Sequence, residues 1–456
     1  MAKRKANPDN RRINTIRLDP GKRQTDELKI LGDRVSRLWN AANYICRQRF
    51  LAYQRVPLGF NLETQMKAQP EYRQLPSDIA QETLKKLSEA WKSYFQLRSL
   101  WRADPAKNQK PGLPKYRKDR KKQMRPFDFI PIKHPRSYSL DAKDAHLVLP
   151  RDRRKSFAGG RLHTAYRGRL RHQGANGRAE IRFDRVRRRW HMSISVDLLP
   201  RPKHEIKKIA AIDLGVRITA SLSIEGRTRA SHFESRELLR DWDALAKDIA
   251  LEQSAIAGTR GKADDTRAPS SRAISLLYRK RQARLEHGLK TMAKAIAEEC
   301  VDQNVDAVYV GWPKNILREV KYGSSLWAGR IHNFWSFAKT IAILKSALAA
   351  QNIECLPVGE RGSSSHCPAC DSENVSRSPR SLLRCKDCGE KIHSDQAGSR
   401  NIAKSQKPSL RWAGAEAAPR TATQRWTRHR WTLRSVNPRL RSPQKFSKPA
   451  APSAAA

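Results

Sequence analysis

Two pairs of cysteines give the strongest chemical signal in the sequence. Cys367 and Cys370 form one C-x2-C pair, Cys385 and Cys388 form a second, and fourteen residues separate the pairs. Each pair can place two thiolates on one turn, and two such turns close a tetrahedral four-sulfur site. Four thiolates leave no ligand position for water, so we expect one structural zinc ion in a zinc ribbon and not a catalytic metal.

Three acidic residues follow strand-like segments or the cysteine pairs. Asp213 ends one apolar run, Glu360 follows the strand-like segment Ile353–Val358, and Asp395 lies seven residues after the last cysteine. Metal-dependent phosphodiester cleavage needs carboxylates that converge on two cations, and ligand sites of α/β domains lie beyond the carboxyl ends of strands. Taken singly, each acid also fits an ordinary role, as a turn cap, a solvent-facing loop acid or a helix N-cap.

The charge of the chain points to a polyanionic partner. The 456 residues contain 92 Lys and Arg against 44 Asp and Glu, a formal charge of +48 that is spread from Lys3 to Lys448. Such a protein repels itself until counter-charge arrives, so nucleic acid is the first partner to expect. A merely solvated basic surface is the simpler alternative.

The sequence contains no signal for export or for a membrane. Met1–Arg12 has no apolar core, and no segment approaches the length of about 18 apolar residues that a bilayer requires. The remaining cysteines, Cys46, Cys300 and Cys355, lie in apolar surroundings, which fits buried thiols in a reducing compartment. We therefore expect a cytoplasmic protein without a membrane partner.

The N-terminal half predicts a helical domain inserted into a β domain. From Asp26 to about Trp101, apolar residues recur at helical spacing, and residues 102–125 then form a basic connector rich in proline. Strand-like runs with alternating apolar residues extend to about Leu199, and a similar run, Ile13–Pro20, precedes the helices. We expect these runs to form one small barrel or sheet.

The next part of the chain predicts an α/β domain with parallel strands. A hairpin at Ile206–Ile224 is followed by a loop at residues 254–275 and a long basic helix at Ser275–Asn304. A strand at Ala307–Trp312, a helix from about His332 to Ala350 and the strand Ile353–Val358 complete the pattern. Strands that alternate with helices favour parallel pairing.

The last segment, residues 406–456, is basic and has no period. Three tryptophans, Trp412, Trp426 and Trp431, lie among its arginines. We expect a disordered tail, which either contacts nucleic acid through charge and stacking or has no function.

The order of motifs resembles the RuvC-type nuclease domain of TnpB proteins, the ancestors of the compact type V CRISPR effectors. The segments that carry the resemblance are IDLG (Ile212–Gly215), GWPKNI (Gly311–Ile316), GERGSSSHCPAC (Gly359–Cys370), CKDCG (Cys385–Gly389) and HSDQAGSRNIAK (His393–Lys404). Less specific N-terminal segments are also similar to the family: LWNAANYICRQ (Leu38–Gln48), IAQETLKKLSEAWKSYF (Ile79–Phe95) and KPGLPKYRK (Lys110–Lys118). The resemblance covers about residues 13–405.

The resemblance implies a multidomain α+β and α/β fold. A β-barrel wedge domain with an inserted helical recognition domain would precede a ribonuclease H-like RuvC domain that is interrupted by the zinc ribbon. The expected boundaries are wedge 1–25 and 126–204, helical domain 26–125, RuvC 205–363 and 391–405, zinc ribbon 364–390 and tail 406–456.

The implied function is Mg²⁺-dependent, RNA-guided DNA cleavage. A guide RNA would pair with the target DNA, while the protein reads a short adjacent motif and the backbone of the heteroduplex. By position, Asp213 matches the first catalytic aspartate and Asp395 the last, and the acids would hold two Mg²⁺ ions. Arg400, on the helix after Asp395, is expected to contact the scissile phosphate, with a structural ion pair as the alternative.

The middle acid of the family is missing at its usual place. Gly311 and Trp312 stand where many members have a glutamate and others have Gly-Asp. Members with the Gly-Asp pattern use a relocated glutamate, and Glu360 on the neighbouring strand is expected to take that role here.

The sequence leaves two other functions open. A nuclease-inactive relative would bind DNA through a guide RNA as a repressor, and a guide-independent zinc-ribbon protein would serve a transposon as an accessory DNA binder. The resemblance also leaves open a homodimer on one guide and an association with the nucleoid of a prokaryotic cell.

Overall fold

The computed structural model divides the chain into two compact units, Met1–Arg201 and Pro202–Ala456. The structure describes residues 11–106, 108–117, 129–155, 157–198, 205–215, 218–259, 270–312, 337–360, 362–378, 381–412, 422–427 and 430–433. Parts of the expected connector, of the segment GWPKNI, of the helix that begins near His332 and of the tail lie outside these residues.

The first unit contains a seven-stranded sheet in the order β2-β6-β7-β1-β5-β4-β3. Its strands are β1 (Arg11–Leu18), β2 (Ile130–Lys133), β3 (Tyr138–Leu140), β4 (Asp144–Val148), β5 (Arg161–Arg167), β6 (Ala175–Asp184) and β7 (Arg189–Asp197). The described pairs are antiparallel, and β1 pairs with β7 over its whole length, from Arg11 opposite Asp197 to Leu18 opposite Trp190. The strand that precedes the helices therefore lies inside the sheet made by the strands that follow them.

The helices of this unit lie between β1 and β2 in the chain, except for one short turn before β5. They are α1 (Lys22–Leu51), α2 (Phe60–Met66), α3 (Pro70–Arg73), α4 (Ser77–Ala103) and α5 (Arg151–Arg154). The long helices α1 and α4 bury their apolar stripes in a common core, where Trp91 is fully buried and its indole N–H donates to Asn43 Oδ1 at 3.0 Å. This packing follows from apolar residues at helical spacing.

The second unit contains a mixed seven-stranded sheet in the order β12-β11-β8-β9-β10-β16-β17. Its strands are β8 (Ile209–Asp213), β9 (Ile218–Ile224), β10 (Ser231–Glu234), β11 (Ala307–Trp312), β12 (Glu354–Gly359), β16 (Ala422–Thr427) and β17 (Arg430–Leu433). The strands β8, β11 and β12 are parallel, whereas β8, β9 and β10 are antiparallel neighbours. Parallel pairing therefore occurs where helices connect the strands, as expected.

Helices cover both faces of this sheet. They are α6 (Arg236–Thr259), α7 (Arg272–Asp302), α8 (Phe337–Ala350) and α9 (Ser394–Gln406). Along β8, Ala210 and Ile212 pack in the core that contains α7 and α8, whereas Ile209 and Ala211 pack with Ile402 of α9. Because side chains alternate between the two faces of a strand, Asp213 follows on the face that α9 covers.

Helix α6 corrects part of the expected loop. The loop was placed at residues 254–275, but α6 extends to Thr259. Its buried residues Leu238, Trp242, Leu245 and Ile249 recur at helical spacing, a signal that the sequence already contained.

The expectation of a disordered tail from residue 406 is wrong for two segments. Strand β16 pairs in parallel with β10 and forms a hairpin with β17. Two of the tail's tryptophans, Trp412 and Trp426, are buried, and the indole N–H of Trp431 donates to Gly288 O at 2.9 Å. These aromatic rings pack in the cores of the second unit.

Within the described residues, no helix combines the length and the apolar character that a membrane crossing requires.

Candidate metal centres

The four cysteines of the two C-x2-C pairs converge on one point. Their sulfur atoms all lie within 4.8 Å of one another, and the Sγ atoms are 3.6 Å apart in the pairs Cys367/Cys388 and Cys370/Cys385. A tetrahedral zinc ion with Zn–S bonds of about 2.3 Å separates its sulfurs by about 3.8 Å. The donor set and its spacing therefore fit one zinc ion held by thiolates alone.

A three-stranded sheet carries this cluster directly before α9. Its strands are β13 (Val375–Ser376), β14 (Leu382–Cys385) and β15 (Lys391–His393), in the order β13-β14-β15. We refer to this sheet with the two cysteine pairs as the cysteine module. Its small core contains Leu383, Ile392 and Ala397. Since so small a core stabilises little by itself, a metal is the expected source of its stability.

Asp213 lies at the carboxyl end of β8, where α9 crosses close to the sheet. A Cβ atom on Gly398 of α9 would lie 2.5 Å from Asp213 Oδ2 and 3.1 Å from its Cγ. No side chain larger than hydrogen fits at this point, so Gly398 permits the approach of α9 to Asp213. Ser399, the next residue, exchanges a buried hydroxyl hydrogen bond of 2.7 Å with Ser223 of β9.

Glu360 follows β12, a parallel strand that β11 separates from β8. Strand β12 pairs with β11 so that Trp312 lies opposite Gly359. A Cβ atom on Gly311 would lie 3.0 Å from Glu360 Oε2, so the carboxylate occupies the space above Gly311. The absence of a side chain at Gly311 therefore makes room for an acid from the next strand.

Asp395 lies in the first turn of α9. The N-cap of the helix is His393, whose Nδ1 accepts a hydrogen bond of 3.3 Å from the backbone N–H of Asp395. The His393 ring packs edge-on against His232, which is fully buried on β10. His393 therefore orients the start of the helix that carries Asp395.

Asp213 is affected electrostatically by both of the other acids. Burial, with the nearby charges of Asp395 and Glu360, raises the pKa of Asp213 to about 7, while Arg377 opposes this shift. Burial also raises the pKa of Glu360. Like charges held together in a poorly solvated place disfavour their own ionisation, and a cation removes that penalty. The charges of Glu360 and Asp395 thus both act on Asp213.

The acid site also offers an unused ligand atom. Glu360 Oε2 is buried and has no hydrogen-bond partner among the described residues. Carboxylate oxygens are the ligands that Mg²⁺ prefers, so the donor set fits this cation. In the described part of the chain, only the cysteines bring three or more ligand atoms within 4.8 Å of one another. The carboxylate oxygens of the three acids do not all lie that close together.

Arg400 does not lie where a phosphate could reach it, contrary to the sequence-based expectation. It is 1% exposed, its guanidinium donates to Thr228 O at 2.7 Å, and its charge lies 5.0 Å from the ring centre of Trp412. Five residues along a helix turn the side chain by about 140°, so Arg400 points away from the face of Asp395. Arg400 packs α9 against the segment that follows it.

The cation beside the acids is Arg377, which sequence reasoning missed. It is exposed, extends from the cysteine module, donates to Ser364 O and lowers the pKa of Asp213 through its charge. No local sequence signal marks Arg377, because its position depends on how the module folds against the acid site.

Two family models and one curated relative match this chain. Residues 191–317 match the family described as a probable transposase (OrfB_IS605), and residues 337–402 match the Cas12f1-like TNB domain. The TnpB-like protein ORF457 of Acidianus two-tailed virus is 29% identical over 417 residues, which cover 87% of this chain and 86% of that protein. The resemblance of the sequence to TnpB proteins is thereby confirmed.

A solved structure shares the fold. In the cryo-EM structure of the Cas12f1-sgRNA-target DNA complex, the protein chain superposes with a TM-score of 0.56 at 13% identity, over 85% of this chain and 84% of that chain. This similarity shows a common arrangement of helices and sheets.

Proposed function

We propose that this chain, a relative of TnpB-like proteins, is an RNA-guided DNA endonuclease with its acid site at Asp213, Glu360 and Asp395. The observation that supports this most directly is the position of Glu360. Its unpartnered carboxylate oxygen lies over Gly311, and its charge acts on Asp213. An acid from β12 thus stands beside the place where β11 lacks one.

The acids would hold two Mg²⁺ ions, which activate water and stabilise the leaving oxygen during phosphodiester cleavage. The sheet fixes Asp213 and Glu360 at the ends of β8 and β12, and α9 fixes Asp395. Arg377 replaces Arg400 as the candidate phosphate contact, because its guanidinium is exposed and acts on Asp213.

The partners follow from charge and from the relatives. A net charge of +48 suits long contacts with nucleic-acid backbones, and the Cas12f1 complex contains an sgRNA and target DNA. By this proposal, a guide RNA selects the target by base pairing beside a short motif that the protein reads. The protein would act in the cytoplasm of a prokaryotic cell and on the nucleoid when bound.

The test begins with the RNA that copurifies when the protein is expressed from its native locus. The complex is incubated with Mg²⁺ and DNA that matches this RNA beside a randomised flank. We expect cleavage that is lost in Asp213→Ala and in Glu360→Gln. Glu354→Gln is the matched control, since Glu354 is an exposed acid at the opposite end of the same strand, and it should cleave normally.

Other outcomes select the alternatives. Tight guided binding without cleavage would identify a nuclease-inactive, repressor-like protein. Absence of a discrete copurifying RNA would instead identify a guide-independent DNA-binding protein with a zinc ribbon.

A further inference from the structure

A short segment joins the two candidate metal centres. Glu360 and Cys367 are seven residues apart, and we call residues 360–367, of which the structure describes all but residue 361, the strap. One end of the strap carries an acid of the acid site, and the other carries a ligand of the cysteine cluster. Whatever holds the strap therefore acts on both centres.

Asn401 of α9 holds the strap at two points. Its Nδ2 atom donates to Ser363 O at 2.7 Å and to His366 O at 2.8 Å. The backbone N–H of Ser363 in turn donates to Glu360 O at 3.0 Å. A single amide thus bonds the strap within three residues of Glu360 and within one residue of Cys367.

Two further cations fix the surroundings of the strap. Lys404, one turn after Asn401 on α9, donates to Pro368 O at 3.2 Å and pairs with Asp371, and its side chain is 10% exposed. Pro368 and Asp371 belong to the first cysteine turn. From the cysteine module, Arg377 donates to Ser364 O. The strap is therefore bonded to α9 at Ser363 and His366 and to the module at Ser364.

The same helix carries Asp395, six residues before Asn401. A helix is rigid over this distance, so a bond from Asn401 to the strap fixes Glu360 relative to Asp395. We propose that Asn401 is a positioning residue that sets Glu360 against Asp395, with the first cysteine turn as the second fixed end of the strap. This inference rests on the proposed function in taking Glu360 and Asp395 as ligands of one divalent-cation site.

The decisive variant is Asn401→Asp. The change is isosteric, but a carboxylate cannot donate to two carbonyl oxygens and repels them. We expect Mn²⁺, used as a paramagnetic substitute for Mg²⁺, to bind the zinc-loaded full chain about tenfold more weakly, which is typical of lost outer-shell partners. Binding is measured by electron paramagnetic resonance without nucleic acid. Hydrogen exchange should accelerate in residues 360–367, with unchanged zinc content.

Two companion variants separate positioning from general damage. Gln406→Glu makes the same change from amide to carboxylate at the exposed end of α9, where Gln406 donates only to neighbouring Ser405 among the described residues, and should leave Mn²⁺ binding unchanged. Asn401→Gln retains the amide on a longer side chain and should recover part of the lost Mn²⁺ affinity.

A double variant asks whether Asn401 acts through Glu360. Glu360→Gln alone should weaken Mn²⁺ binding, and adding Asn401→Asp should weaken it no further. A merely structural role would give additive losses, and additive losses would overturn the proposal. It is also overturned if Asn401→Asp leaves Mn²⁺ affinity and strap exchange as in the wild type, or if Glu360→Gln does not change Mn²⁺ affinity.

These readouts are independent of DNA cleavage. A wild-type chain that binds Mn²⁺ through Glu360 and cuts no DNA would refute the proposed activity while the variants still decide the role of Asn401. If the wild type cuts DNA and the Asn401→Asp variant binds Mn²⁺ as tightly as the wild type, the positioning role of Asn401 is refuted. The proposed activity then stands.

Discussion

The cysteine cluster and the acid site, both in the second unit, are built on opposite principles. The four cysteines lie within 22 residues of sequence, and their sulfurs meet within 4.8 Å. The three acids span 183 residues, from Asp213 to Asp395, and come together only through strand pairing and the crossing of α9. Local turns bring the four cysteines together. The fold, in contrast, holds the acids of the other centre where the ionised form of Asp213 is disfavoured.

The contrast distinguishes a metal site that stabilises a fold from one that can react. In a closed shell of four ligands, the free energy of metal binding stabilises the fold. In the acid site, the unpartnered carboxylate oxygen of Glu360 and the raised pKa of Asp213 leave ligand atoms available for further binding. Because the strap connects the two centres, we expect the acid site to depend on the cysteine cluster but not the reverse. We expect loss of zinc to disturb the acids and loss of an acid to leave zinc in place.

The largest effect should follow Cys367→Ser. Removal of one thiolate opens the tetrahedral shell, and structural zinc sites contribute about 10 kcal/mol or more to the folding of small domains. Zinc measured by atomic emission should fall from about one ion per chain to near zero, and hydrogen exchange should accelerate across residues 364–390. Cys46→Ser, at a buried thiol of the first unit, should keep its zinc. Full zinc content in Cys367→Ser would contradict the closed-shell interpretation.

Asp213→Asn should come next and act only on the acid site. We expect guided cleavage to fall by about 10³-fold or more, equivalent to about 4 kcal/mol in the barrier. Single-turnover cleavage in Mg²⁺ measures this loss, and zinc content measured on the same preparation should be normal. Loss of zinc from Asp213→Asn would show that the two centres depend on each other in both directions.

A smaller effect is expected from Gly311→Ala. The new methyl group would lie 2.7 Å from Ile402 Cδ1 and 3.0 Å from Glu360 Oε2, so Ile402 must shift and the carboxylate must give way by a few tenths of an ångström. We expect cleavage to slow about tenfold, because misplaced ligands weaken metal binding to this degree. Gly359→Ala is the matched control on the paired strand, since its Cβ would meet nothing within 4 Å. Equal cleavage rates for the two variants would show that Glu360 does not occupy the space above Gly311.

The smallest effect concerns pH in the metal-free acid site. The pKa of Asp213 is raised from 3.8 to about 7, so the folded protein binds a proton there that the unfolded chain has already released. The stability of the wild type relative to Asp213→Asn should therefore fall as pH rises from about 4 to about 7 and stay constant above. At pH 8 we expect the variant to melt about 2–4 °C higher, equivalent to about 1 kcal/mol. Added Mg²⁺ should reverse this order, and an advantage of the variant that grows toward acid pH would contradict the assignment.

The sequence predicted local features well. The spacing of four cysteines is sufficient to predict the zinc site, because each pair needs only one turn. The strand before the helices was also correctly expected to pair with strands after them.

The structural features that the residues alone could not predict depend on pairing between distant segments. The reach of Glu360 over Gly311, which only the family resemblance led us to expect, follows from the register of β12 on β11. The need for glycine at position 398 follows from the crossing of α9 over β8. Neither has a local signature. The error at Arg400 has a different cause, because helical geometry already placed it off the face of Asp395.

The position of β16 has a consequence for synthesis on the ribosome. Strand β10 ends at Glu234, but its outer partner begins at Ala422, nearly 190 residues later. Until that partner emerges, β10 presents unpaired backbone groups to whatever nascent chain or neighbour is near. Premature termination before residue 422 would leave both metal centres encoded and yet leave this sheet with an open edge, a state prone to aggregation.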